Sequence, residues 1–127
     1  MSHRSRLAGF IIDCQGEDHE TAAAFWSQAL GLPRGETYAE GAACYTELTG
    51  APAALNIEVQ QVQHPSRVHL DIEADDIDAE AARLEALGAR RIGFVKRWWV
   101  MEAPSGQRFC VVRMKHPERG AEPNTWE

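Results

Sequence analysis

Two stretches of this chain, set 57 residues apart, close in the same way: Ala29-Leu30-Gly31 and Ala86-Leu87-Gly88. The same offset lays Asp18 over Asp75, so each stretch runs from an acidic cap through a helix to a glycine. The second, residues 68–89, is the more legible. Val68, Leu70 and Ile72 alternate with His69, Asp71 and Glu73, which predicts a strand with one apolar and one ionisable face. Ala74-Asp75-Asp76 then interrupts the strand and offers a helix N-cap. Ile77, Ala81, Leu84 and Leu87 fall on one helical face, and Gly88 stands where a C′ residue must turn left-handed. The first stretch repeats the scheme. Residues 7–14 read as a buried strand, and Asp18 caps a helix over residues 19–30. Ala22, Phe25, Trp26, Ala29 and Leu30 form its apolar face, and Gly31 and Pro33 stop it.

Three short strands follow each helix. Residues 36–38, 43–48 and 54–59 carry the strand signals of the first half, and 90–95, 98–102 and 109–114 those of the second. Residues 60–67 link the halves, and Ala103-Pro104-Ser105-Gly106 is a turn. The expectation is an α+β fold of two tandem βαβββ modules, about 6–60 and 67–114, in one domain over residues 1–115. The polar, proline-bearing tail, 116–127, is expected to run loose over the surface, with Trp126 its one residue suited to docking.

The formal charge is −6 and there is no extended Lys/Arg cluster, which argues against nucleic acid or an anionic membrane as partner. The apolar run after the basic N-terminus is only 7–12 before Asp13, too short for a signal-peptide core or a membrane span. Cys14, Cys44 and Cys110 are odd in number and lack CxxC spacing, so reduced, mostly buried thiols of a cytoplasmic protein are expected. No phosphate-binding glycine motif occurs.

Taken in order, several motifs make the chain resemble the vicinal oxygen chelate superfamily, also called the glyoxalase/bleomycin resistance protein/dioxygenase fold. They are Phe25-Trp26-Ser27-Gln28-Ala29-Leu30-Gly31-Leu32, Val68-His69-Leu70-Asp71-Ile72, Asp75-Asp76-Ile77-Asp78, Leu87-Gly88-Ala89 and the turn from Ala103 to Phe109. Together they span roughly residues 6–114, and the likeness is greatest to the single-domain, glyoxalase-like subgroup. The resemblance implies an eight-stranded, incompletely closed mixed sheet curled around a cavity, two external helices, and pairing into homodimers. It also implies metal-ligand places on the first and last strand of each module, here about Ile12, Asn56, His69 and Cys110.

Those places make an incomplete metal site. Ile12 has no donor, Asn56 is a poor ligand, and His69 and Cys110 are two ligands where a catalytic divalent ion needs three or more. A shifted register would recruit Asp13, Cys14 or Glu58, although a one-residue slip also reverses the faces. His69 is the candidate catalytic residue, as a proton carrier or a contact for a substrate oxygen. It is equally explained as a histidine satisfied by a neighbour. Asp71 and Glu73 share its face. Cys110 reads more readily as a space-filling thiol than as a nucleophile. Trp98 and Trp99 must point to opposite faces of one strand, so one of them is expected to enter the cavity. An aromatic wall for a flat ligand and plain core packing explain it equally well. Phe10, Tyr45 and Met101 are weighed in the same way, as cavity or core. The acidic pairs Glu17-Asp18 and Asp75-Asp76 are explained by helix capping.

The expected ligand-binding set is therefore Asn56, His69, Trp98, Trp99 and Cys110. The leading expectation is a protein that binds a small organic molecule, as a binder or an enzyme, without a complete catalytic metal. A lyase, isomerase or dioxygenase dependent on Zn, Ni, Fe or Mn is the alternative. A dimeric binding or resistance protein without catalysis is the third.

Overall fold

The computed structural model describes residues 2–127. Both helices form where the capping pattern puts them. Helix α1 (His19–Leu30) begins under Asp18, whose carboxylate accepts the Thr21 N–H, and it ends on Gly31 at φ 68°. Helix α2 (Ile77–Ala86) is capped by Asp76, which accepts the Ala79 N–H. The repeat therefore slips by one residue at this end, and Asp75 accepts the Arg4 N–H instead. Gly88 sits at φ 111°, and a Cβ there would also meet the Pro104 ring at 3.0 Å.

Among the described residues nine strands accompany the helices: β1 (His3–Gln15), β2 (Arg34–Glu40), β3 (Ala43–Leu48), β4 (Asn56–Val62), β5 (Arg67–Ala74), β6 (Arg90–Val95), β7 (Trp98–Glu102), β8 (Arg108–Arg113) and β9 (Asn124–Trp126). The class is α+β, a βαβββ order used twice, with a mixed sheet that does not close. The expected start of β4 at residue 54 gives way to a single 3-10 turn, Pro52–Ala54.

Contacts divide the chain into two compact units. The α1 unit is Phe10–Val68, with strand order β2-β3-β4 and then the C-terminal part of β1. Thr46 in β3 points at α1, since its hydroxyl bonds His19 Nε2 at 2.7 Å. Leu48 and Val59 share that side by alternation and register, and both are buried. Phe25 and Leu30, expected on the packed face of α1, are instead about half exposed.

The α2 unit comprises the residues up to Gly9 together with His69–Glu127. Its order is β5-β8-β7-β6, with β5 parallel to β8 and the other pairs antiparallel. Ala81 and Leu84 of α2 pack on Met101, Phe109 and Val111, with Ile72 and Trp99 at the margin.

The tail corrects the expectation of a loose surface segment. Strand β9 pairs antiparallel with the start of β1, His3 opposite Trp126. Trp126 Nε1 donates to Ser5 Oγ at 2.8 Å, and the Arg83 guanidinium lies 3.9 Å over its ring. Beneath it Glu80, fully buried, accepts from Ser5, from Arg83 through two nitrogens, and bonds His3 Nε2 at 2.7 Å. A three-residue strand has no periodicity to read. Its existence depends on partners some 120 residues away in sequence, as with Trp126 and Ser5.

Candidate functional site

In the α2 unit the helix-facing residues of β8 and β7 are Phe109, Val111, Trp99 and Met101. Alternation therefore turns Cys110, Trp98 and Val100 to the helix-free side. On β5 Ile72 belongs to the packed side, so His69, Asp71 and Glu73 face away from the helix. The parallel register sets Asp71 opposite Cys110. These choices bring donor atoms of His69, Asp71 and Cys110 within 4.8 Å of one another, all half-buried. His69 Nε2 stands 3.5 Å from Asp71 Oδ1.

Asp71 is the member the ligand count lacked. Its signal was already present as the i, i+2 spacing in His69-Leu70-Asp71, but only the β5–β8 register shows that Cys110 completes the group. The set fits a zinc-like ion: an imidazole, a carboxylate and a thiolate are ordinary zinc donors, and three protein ligands leave a fourth position open. Donors around such an ion stand roughly 3–4 Å apart, within reach of small rotations from the present spacing.

The tryptophans separate as alternation requires. Trp99 belongs to the helix side: Nε1 donates to Asp78 on α2 at 2.9 Å, Arg91 lies 4.6 Å over the ring, and Phe94 meets it edge-on at 5.0 Å. Trp98 is on the face that carries Cys110, and it is the one of the pair that can wall a site there. Met101 is wholly buried in the core.

The α1 unit has its own helix-free face. Opposite the Thr46 side lie Tyr38, Tyr45, Glu47, Asn56, Glu58 and Gln60, aligned by the registers Tyr38 to Tyr45 to Gln60 and Glu47 to Glu58. Tyr38 and Tyr45 stack at 5.2 Å with planes 15° apart. The Tyr38 hydroxyl donates a short hydrogen bond to Glu58 Oε1, and Asn56 Nδ2 donates to Glu58 Oε2 at 2.7 Å. Burial, then the adjoining Glu58 carboxylate, pushes the Tyr38 phenol far above its usual range. Burial, then the charges of Glu58 and Glu36, raise the Glu47 carboxyl. Asn56 is thus engaged with Glu58. Glu58 lies two residues further along the strand, on the same side, so it needs no reversal of faces to occupy this surface.

Ile12 is buried beside α1, where with Trp26, Cys14, Ser66, Arg67 and Val68 it lines a cavity of about 290 Å³. Its neighbour Asp13 is buried and lies 3.8 Å from Arg67. Burial raises the Cys14 thiol, which a hydrogen bond with Trp26 only partly offsets. Each of the three cysteines is half-buried, less enclosed than their apolar neighbours suggested.

Charge is distributed unequally. The α1 unit holds eight carboxylates and two arginines and so accounts for the whole formal charge of −6. The α2 unit balances eleven acidic with eleven basic side chains. Among the described residues, no helix is long and apolar enough to cross a membrane.

The family model "Glyoxalase-like domain" matches residues 9–112. No curated protein matches in sequence. Among solved structures, a hypothetical protein from Bacillus halodurans is similar with a TM-score of 0.67 at 12% identity, over 87% of this chain and 95% of that one. A methylmalonyl-CoA epimerase from Mycobacterium tuberculosis gives 0.64 at 14%, over 86% and 89%. A mutant 4-hydroxymandelate synthase from Streptomyces coelicolor gives 0.57 at 13%, over 94% of this chain and 50% of that one. At these identities the likeness concerns the fold.

Proposed function

Since the chain belongs to the glyoxalase-like domain family, within the vicinal oxygen chelate superfamily, we propose that it binds a small, oxygen-bearing organic molecule on the helix-free face of its α2 unit. His69, Asp71 and Cys110 are the polar anchor, and Trp98 is an apolar wall. The observation that carries this reading is the convergence of those three side chains within 4.8 Å. Charge favours the same unit. An anionic ligand would meet the unbalanced carboxylates of the α1 unit but not the neutral balance of the α2 unit. Acyl-CoA thioesters are a ligand class to test, because a related epimerase has been solved with methylmalonyl-CoA.

At such an anchor His69 would accept or return a proton at a substrate carbon or oxygen, with Asp71 orienting the imidazole. The donor set supports a second reading, a divalent-metal-dependent lyase, isomerase or dioxygenase. His69, Asp71 and Cys110 would hold the ion, which would supply Lewis-acid polarisation of a substrate oxygen. A homodimer is part of the proposal, and the sheet edges β2 and β6 are the surfaces available for it.

Elemental analysis of protein purified without chelator, wild type beside His69→Ala, separates the two readings. Stoichiometric metal that disappears in the variant establishes the second. Thermal shift against acyl-CoA thioesters and small carboxylic acids tests the first. A panel giving no shift that depends on His69 and Cys110 would remove it. Light scattering showing only a 14.1 kDa species would remove the dimer.

A further inference from the structure

We propose that the C-terminal segment, residues 115–127, forms the rim of this ligand site, with Arg6 as the positioning residue that fastens it there. The inference rests on the reading that His69, Asp71 and Cys110 anchor the ligand. Glu73 continues the row of His69 and Asp71 on β5, about 7 Å beyond Asp71 at strand spacing. Arg6 Nε donates to Glu73 Oε2 at 2.6 Å, and both side chains are largely buried. The rest of the same guanidinium is spent on the segment. Nη1 donates to the carbonyls of Ala121 at 2.5 Å and Pro117 at 3.3 Å, and Nη2 to that of His116 at 2.8 Å. One side chain therefore ties three carbonyls of the segment to the row of residues that carries the site.

The far end has a second anchor. Strand β9 pairs with β1, and Trp126 is held by Ser5 and Arg83. Between the anchors residues 115–122 are exposed and include Pro117 and Gly120 at φ 71°, while Pro123, just before β9, is buried. Residues 115–122 have little packing of their own, so their residence depends on the Arg6 fastening and on the β9 end, where Pro123 is buried. They can detach while the core stays folded. Detachment would open the approach to Cys110 and His69, and attachment would narrow it.

The test uses the full chain with Cys14→Ala and Cys44→Ala, so that Cys110 is the only thiol, in chelator. Labelling by a small maleimide is followed by mass spectrometry, alongside amide hydrogen exchange of residues 115–127. Trp126→Ala removes one hydrogen bond and one cation–π contact. It should speed exchange in the segment and Cys110 labelling together, by about tenfold. Arg6→Gln releases the near anchor and should do the same, which keeps the test alive if Trp126→Ala folds poorly. Fast segment exchange with Cys110 labelled at the parental rate would overturn the proposal, as would unchanged exchange in both variants. Neither readout needs ligand or metal to bind. The rim can therefore fail while the anchor reading stands, and the reverse.

Discussion

Replacing Glu80 should be among the most damaging single changes in this chain. The carboxylate is fully buried and receives hydrogen bonds from Arg83 Nε and Nη2 at 2.8 Å each and from Ser5 at 2.8 Å, with His3 Nε2 at 2.7 Å. Glu80→Ala leaves those groups facing a void with no acceptor. Breaking a buried ionic network from one side costs about 3–5 kcal/mol. Glu80→Gln keeps the volume and one acceptor but turns an amide N–H toward donors, for which about 2 kcal/mol is expected. The pH dependence has a definite sign. Burial raises the Glu80 carboxyl, but bonds from Arg83, His3 and Ser5 outweigh it and the net shift is downward. Its contribution is therefore complete above the unfolded glutamate range near 4.5 and is lost as pH falls through the lower folded value. Urea unfolding at pH 7 measures the two losses. Repeated between pH 5 and pH 3, it should show wild type losing stability more steeply than Glu80→Gln. A loss under 1 kcal/mol for Glu80→Ala, or equal pH slopes, would refute the account.

Three other predictions test the assignment of faces and the thiols. Trp99→Ala should cost about 2–3 kcal/mol in urea unfolding, because the ring joins the α2 core margin and bonds Asp78. Trp98→Ala should cost under half that and act instead on ligand binding; equal losses would mean the faces are misassigned. Tyr38→Phe leaves buried Glu58 with Asn56 but without its phenol donor, an expected loss of about 1–3 kcal/mol by the same assay. A change below 0.5 kcal/mol would show that the short bond contributes nothing net. Cys14, its thiol raised by burial, should react slowly with iodoacetamide at pH 7 and accelerate only above pH 9; peptide mapping showing it as the fastest cysteine at pH 7 would contradict this.

The order of elements was legible because it is written in local chemistry. Asp18 and Gly31 bound α1 at the expected residues, and the limits of β3, β6 and β7 needed nothing distant. On the apolar side of β5, by contrast, Val68 and Leu70 are exposed and only Ile72 joins the core. The site was only half legible. The spacing of His69 and Asp71 puts both on one face, but which residue of a strand forty positions away stands beside them is a matter of register. Choosing between Trp98 and Trp99 likewise required knowing which side α2 covers. Ile12 illustrates the limit: a one-residue difference decides whether a side chain meets the helix or the open face.

From the sequence alone follow the α+β class, the doubled βαβββ order, the caps and the family, since periodicity, capping and turn chemistry act over a few residues. The tertiary structure alone decided that Asp71 joins His69 and Cys110, that Glu58 lies between Tyr38 and Asn56, and that the tail returns to β1 on Trp126. Each of those turns on a contact between residues far apart in the chain: Asp71 with Cys110, Tyr38 with Glu58, and Ser5 with Trp126. Strand register and the partners of buried polar groups settle such contacts, and neither leaves a local mark.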